Sequence, residues 1–207
     1  MPCNTDAANS HGQRLQYLTI GWNLVESTVG FIAALLAGSI ALLGFAFDSA
    51  IEVISSLGAL RRLRAEHDGK AKRHVERNAH KIIGVAFLAF AGYISYEAIA
   101  ALYEHRTMAE SWIGIILAID SLTLLPWLAA SKRRVAECLG SAALEAETRQ
   151  TQIALYLSGT LLIGLVLNAT LRWWWADPVA AIFMVPVMLQ EGCRALLPSG
   201  FLLQRIK

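Results

Sequence analysis

Apolar residues in this sequence fall into six long stretches separated by short polar segments. The stretches cover residues 15–37, 38–60, 82–103, 111–131, 150–171 and 176–197, and they contain Arg194 but none of the other 17 of the chain's 18 Lys and Arg residues. Each stretch has 21 to 23 residues, and a helix needs about 20 residues to cross a hydrocarbon core of about 30 Å. The pattern therefore predicts an all-α integral membrane protein with six transmembrane helices.

The first two stretches are continuous and must be separated by a turn. Residues 15–60 would be about 69 Å long as one helix, more than twice the thickness of a membrane. Gly38-Ser39 supplies turn-forming residues near the middle of this run. The pattern Gly-Ser-x-Ala-Leu recurs at Gly140-Ser141, three spans later. An odd number of crossings reverses direction, so the recurrence predicts a 3+3 inverted repeat, as found in transporters that alternate access to a central site.

The basic residues predict the orientation of the chain. Sixteen of the 18 Lys and Arg residues fall on one side of the predicted spans, and only Arg106 and Arg172 fall on the other. The positive-inside rule places the sixteen in the cytoplasm, together with both termini. We expect a cytoplasmic tail at residues 1–14, a transporter domain at 15–197 and a cytoplasmic tail at 198–207, in the plasma (inner) membrane and in contact with lipid.

Composition excludes several classes of protein. The chain is 56% hydrophobic and 16% charged, with a mean hydropathy of +0.47, which is far more apolar than a soluble domain. Its net charge of +2 gives no argument for nucleic-acid binding. The short segments between spans leave no room for a soluble catalytic domain. We therefore expect neither an enzyme nor a resident cofactor.

Carboxylates inside the predicted spans carry the candidate chemistry. A charge at the centre of a bilayer costs at least about 2.5 kcal/mol, and such residues normally face the bundle interior and mark a pathway. The spans hold no Lys or Arg at matching depth. We therefore expect bound cations or protons, rather than internal ion pairs, to balance these acids.

Asp48 and Glu52 are the central pair of this candidate site. Four residues apart on a helix, they project from one face about 6 Å from each other. Glu26 on the antiparallel first span falls at a similar depth, about 19 Å from the turn. Oxygen ligands in such a cluster are typical of a divalent-cation site or a proton relay, with hydrogen bonding between protonated acids as the structural alternative. The candidate metal ligands are Asp48, Glu52, Gln150, Glu26, Asn23 and Asp120.

Two longer motifs make the chain resemble the cation diffusion facilitator family. They are GSIALLGFAFDSAIE at residues 38–52 and GSAALEAETRQ at residues 140–150, and the match covers residues 15–197. The resemblance implies a six-helix transporter that exports divalent metal, usually zinc, from the cytoplasm in exchange for protons, typically as a homodimer. It also implies a divergent branch without the family's cytoplasmic C-terminal domain.

The resemblance assigns Asp48 and Glu52 as metal ligands in the second span. The family's ligand pair in the fifth span, commonly His and Asp, aligns here with Gln150 and Ala154, so half of the usual site is missing. A set of oxygen ligands admits Mn²⁺ or Fe²⁺ beside Zn²⁺ as the transported ion. The alternative function is a non-transporting membrane partner that modulates another transporter or channel, which the missing half-site favours.

Overall fold

The computed structural model describes residues 5–64 and 69–196, which form six α-helices joined by short connections. The helices are α1 Thr5–Ala37, α2 Ile40–Arg64, α3 Gly69–Tyr103, α4 Trp112–Leu139, α5 Ala142–Leu171 and α6 Ala176–Leu196. All six are long and apolar enough to cross a membrane, and the described ranges contain no β-strand. The prediction of an all-α protein with six membrane-spanning helices is confirmed.

Four helices extend well beyond the apolar stretches that predicted them. Helix α1 begins at Thr5, α3 begins at Gly69, α4 continues to Leu139, and α5 already begins at Ala142. Backbone hydrogen bonding continues a helix through polar residues, so apolar length marks the membrane-buried part and not the whole helix. Residues 5–14, expected as a tail, are therefore the first turns of α1. The expected tail at 198–207 lies outside the described residues.

The two Gly-Ser motifs form the same turn in both halves of the chain. Gly38 and Gly140 adopt left-handed backbone conformations, with φ of 67° and 57°, which glycine reaches without a Cβ penalty. In each turn the following serine N–H donates to the carbonyl five residues earlier, at 3.1 and 3.2 Å. Helices α1, α2 and α3 pack against α4, α5 and α6 respectively. Both observations agree with the predicted inverted repeat.

Small residues bring the helices of a single chain into close contact. A Cβ added at Gly84 of α3 would lie 2.9 Å from the Gly192 carbonyl oxygen of α6. A Cβ added at Gly164 of α5 would lie 2.6 Å from the Ala180 Cβ of α6. Larger residues at these positions would therefore force the helices apart. This would weaken the bundle, because close backbone approach stabilises helix packing in lipid.

A buried carboxylate at the start of α6 caps the start of α2. One Asp177 oxygen accepts a hydrogen bond of 2.5 Å from the Ser39 hydroxyl, and the other accepts from the backbone N–H groups of Ile40 and Ala41, at 2.8 and 3.3 Å. The first N–H groups of a helix have no partner within it, and they carry the positive end of its dipole. Asp177 therefore fixes the end of α2, the helix that carries Asp48 and Glu52.

We expect Asp177→Ala to destabilise the protein by about 2 kcal/mol, because three buried donors lose their acceptor. The measurement is the melting temperature in detergent. Glu104→Ala is the control, since that exposed carboxylate pairs only with the exposed Arg106 among the contacts the structure describes. A melting temperature for Asp177→Ala equal to that of the control would contradict the role of the cap.

Candidate cation site

The described bundle buries a group of polar side chains beside its apolar core, while many large apolar side chains face outward. Leu35 and Leu36 are 76% and 77% exposed, whereas Asn23 and Gln16 are 1% and 0% exposed. A lipid environment favours this arrangement, because apolar side chains face the hydrocarbon and polar ones find partners between helices. We call the buried polar residues on the facing sides of α1, α2, α4 and α5 the polar cluster; they are Gln16, Thr19, Asn23, Glu26, Asp48, Ser49, Glu52, Ser56, Ser121, Lys132, Glu147 and Thr151.

Glu26 is held by two serine hydroxyls from neighbouring helices. Ser49 of α2 donates a hydrogen bond of 2.7 Å to one Glu26 oxygen, and Ser121 of α4 donates to the other. Glu26 itself is 2% exposed. Both oxygens of this α1 carboxyl therefore have a donor, and the contacts connect α1, α2 and α4.

Asp48 and Asn23 are buried and carry polar atoms that no described residue hydrogen-bonds. Asp48 Oδ1 and both polar atoms of the Asn23 amide have no partner among the described residues. An unpaired buried polar atom costs about 1–3 kcal/mol, so native proteins rarely retain one without a use. Carboxylate and amide oxygens are suitable ligands for a divalent cation. These atoms fit the predicted metal site.

Glu52 is paired with a buried lysine. The Lys132 ammonium of α4 lies 3.8 Å from a Glu52 oxygen and 3.2 Å from the Thr151 hydroxyl of α5. Thr151 in turn donates a hydrogen bond of 2.8 Å to the same Glu52 oxygen. Lys132 and Glu52 are each 1% exposed, so this contact is an internal ion pair.

Glu147 of α5 is the second partner of this lysine. One Glu147 oxygen lies 3.4 Å from the Lys132 ammonium and accepts a hydrogen bond of 2.5 Å from Ser56 of α2. The other oxygen accepts from the side-chain amide of Gln16 on α1. Glu147 therefore connects α1, α2, α4 and α5.

The expectation that no basic residue pairs with the buried acids is wrong for Glu52. The fourth apolar stretch ends at residue 131, so the sequence pattern predicts a cytoplasmic segment that includes Lys132. Helix α4 in fact continues past it. Side chains on a helix tilt toward its N-terminus. In α4 this tilt carries the long side chain of Lys132 from the end of the helix back toward its middle, where the ammonium reaches Glu52.

A single ammonium cannot balance all of these acids. The polar cluster contains four carboxyl groups, those of Glu26, Asp48, Glu52 and Glu147, against the one amine of Lys132. Buried ionised groups without a counter-charge are strongly unfavourable. Protons or bound cations must therefore still neutralise most of the cluster.

Asp120 does not join the polar cluster. Its side chain is exposed on the outer face of α4, whereas the next residue, Ser121, is buried and contacts Glu26. Successive helical residues are about 100° apart around the axis, so these two cannot both face inward. The expectation that Asp120 faces the bundle interior is wrong.

Gln150 is half-buried on α5, and its neighbour Thr151 is the α5 residue that contacts Glu52. Ala154, which follows one turn after Gln150, is buried and offers no ligand atom. Within the described residues, no three His, Cys, Asp or Glu side chains form a group able to hold a metal ion. The roles of Asp48, Glu52, Gln150, Glu26 and Asn23 as ligands stay predictions.

Comparison with known proteins places this bundle in a family. Residues 17–203 match the model of the cation efflux transmembrane domain. The chain belongs to the cation efflux family, which is the cation diffusion facilitator family of the resemblance. Members of this family are transporters, not enzymes.

Two curated proteins that are similar to this cation efflux protein support the family assignment. It is 24% identical over 174 residues to the cation-efflux pump FieF of Shewanella oneidensis, covering 80% of this chain and 57% of that protein. It is 27% identical over 173 residues to the uncharacterized transporter sll1263 of Synechocystis, covering 80% and 55%. The chain thus spans a little over half the length of these relatives.

Sequence reasoning missed Lys132, Glu147 and Thr151 of this cation efflux protein. All three lie between the fourth and fifth apolar stretches or at the edge of the fifth. The available signal was the second Gly-Ser turn, since a helix that begins after Ser141 places Glu147 and Thr151 one turn apart on one face. The start of the fifth apolar stretch at residue 150 does not by itself show that the helix already includes Glu147.

We expect Glu147→Ala to destabilise the protein by about 3 kcal/mol, because it removes one partner of a buried ion pair and leaves two neutral donors unpaired. Glu145→Ala is the matched control, since Glu145 is an exposed carboxylate two residues earlier on the same helix. Melting temperatures in detergent compare the two. Equal losses in both variants would show that the Glu147 contacts do not stabilise the bundle.

Proposed function

We propose that this protein exports a divalent metal ion, zinc in the first instance, from the cytoplasm in exchange for protons. The observation that carries the proposal is Asp48, a buried carboxylate with a partnerless oxygen, one helical turn from Glu52 in a bundle of the cation efflux family. The Shewanella relative is named a cation-efflux pump, and this name supports the same activity.

In the proposed mechanism, metal enters from the cytoplasm and binds between Asp48 and Glu52. Amide oxygens from Asn23 and Gln150 add neutral ligands. Glu26 adds a further carboxylate behind this pair, within contact distance of Ser49, which follows Asp48 in the chain. Since all these ligands are oxygens, Mn²⁺ and Fe²⁺ remain alternative cargoes.

Proton exchange follows from the electrostatics of the acid pair. Two carboxylates about 6 Å apart in a low-dielectric interior resist being ionised together unless a cation lies between them. Protons that arrive from the outer side therefore compete with the metal for the same oxygens. Rocking of the two inverted halves would expose the pair to each side in turn.

The proposed transporter is a homodimer in the plasma (inner) membrane. The resemblance to the family supports the two-subunit assembly, and the predominance of basic residues on one side supports the cytoplasmic orientation.

A second candidate is a non-transporting membrane partner that modulates another transporter or channel. The specific observation in its favour is Ala154, which offers no ligand atom at a position where the family commonly has one. Metal flux by the purified protein alone separates this candidate from the first.

We expect Asp48→Asn and Glu52→Gln each to lower Zn²⁺ uptake into proteoliposomes at least about tenfold, because each removes a charged ligand that is worth more than 1.4 kcal/mol of binding. A metal-sensitive dye in the lumen measures uptake, with Mn²⁺ and Fe²⁺ compared in parallel. Asp120→Asn is the matched control, since its carboxylate faces outward and its uptake should stay near wild type.

Uptake that persists in both variants would overturn the site. A wild-type protein that binds Zn²⁺ but gives no flux would favour the modulating partner.

We expect the lumen of the same vesicles to become more alkaline during Zn²⁺ uptake, since each entering metal ion displaces protons outward. A pH-sensitive dye in the lumen reports this change, and in vesicles with Asp48→Asn the metal signal and the pH signal should fall together. Zn²⁺ uptake without a rise in lumenal pH, under a clamped membrane potential, would overturn the exchange mechanism while leaving metal transport intact.

A further inference from the structure

Lys132 occupies the position that a cation would take beside Glu52. Its ammonium lies between Glu52 and Glu147, at 3.8 and 3.4 Å, and also contacts the Thr151 hydroxyl at 3.2 Å. The side chain is 1% exposed. A positive group surrounded by three oxygens from two helices resembles the ligand environment of a bound metal ion.

The ammonium and a metal ion cannot both stay close to Glu52. Two cations on one carboxylate in a low-dielectric interior repel each other strongly. A metal ion that uses Glu52 as a ligand must therefore displace Lys132 or bind more weakly because of it.

Glu147 gives the displaced ammonium a place to go. It lies on α5 one turn before Thr151, and Lys132 already contacts it. The four-carbon stem of lysine has several rotatable bonds, so its head can move without any helix movement. A lysine that leaves Glu52 can thus stay paired with Glu147 and remain buried.

We propose that Lys132 is a tethered competitor for the transported metal: it neutralises Glu52 in the metal-free protein and shifts fully to Glu147 when the metal binds. This inference rests on the proposed function. The competitor balances the charge of Glu52 while the site is empty, and it weakens metal binding enough for the ion to leave on the outer side.

A purely structural ion pair is the alternative, and substitutions at Glu147 separate the two. Glu147→Gln removes the second partner of the lysine, so the ammonium stays at Glu52 and competes more strongly. The double variant Lys132→Met with Glu147→Gln removes the competitor and keeps the same formal charge as the wild type. It is also the variant expected to fold, because replacing a whole buried ion pair by residues of similar size is often nearly neutral for stability.

The experiment is a calorimetric titration of the purified protein with Zn²⁺, repeated with Mn²⁺. We expect the double variant to bind about tenfold more tightly than wild type and Glu147→Gln to bind about tenfold more weakly, because a nearby positive charge is removed in one case and fixed in place in the other. In vesicles the double variant should show a lower half-saturating concentration and a lower maximal rate. Lys132→Arg should stay closer to wild type than the double variant.

The inference depends on the two variants changing the Zn²⁺ affinity in opposite directions. A double variant that binds Zn²⁺ no more tightly than wild type would overturn it, as would tighter binding by Glu147→Gln. If Asp48→Asn and Glu52→Gln abolish binding in those same titrations, only the role of Lys132 has failed. If they bind as wild type does, the proposed site itself has failed.

Discussion

The unfavourable free energy of an ionised carboxyl in a lipid-embedded bundle controls this structure. Five buried carboxyls are found in the described residues, and they are compensated in different ways. Asp177 accepts hydrogen bonds from backbone N–H groups at the start of α2, and Glu26 accepts hydrogen bonds from two serine hydroxyls. Glu52 and Glu147 share the Lys132 ammonium. Asp48 has one oxygen that no described residue contacts by a hydrogen bond, and this exception makes it the centre of the candidate site.

The same contacts organise the bundle around that oxygen. Asp177 fixes the N-terminal end of α2, and the Glu26 contacts hold α1, α2 and α4 together next to Asp48, since Ser49 follows it in the chain. Glu147 connects four helices one turn beyond Glu52, through its contact with Ser56 of α2. Since lipid provides no hydrophobic force between helices, such polar contacts and close small-residue packing carry much of the helix association. The residues that stabilise the fold are thus the neighbours of the residues proposed to bind metal.

How much the sequence predicts depends on which physical property decides each feature. Span number and the Gly38 and Gly140 turns were predictable, because bilayer thickness and left-handed glycine conformations leave few alternatives. The buried position of Lys132 was not predictable from hydropathy. The apolar stretch ends just before this lysine, but helix α4 continues past it, and the side chain tilts back toward the middle of the helix. The prediction that Asp120 faces the bundle interior was wrong for a related reason. The depth of a residue in the membrane does not tell which face of its helix it occupies.

The two halves share a scaffold but not its charges, and this difference bears on transport. The offset of 102 residues that relates the Gly-Ser turns also relates Ser49 to Thr151. Each of these hydroxyls donates to a buried glutamate, Glu26 or Glu52. The same offset relates Asp48 to Gln150 and Glu52 to Ala154. The α2 side therefore carries the two acids proposed as metal ligands, while the α5 side carries Thr151 and Glu147, which contact Lys132. In the proposed mechanism the two inverted halves move against each other, and this asymmetric charge distribution would give the resulting states unequal affinities for a cation.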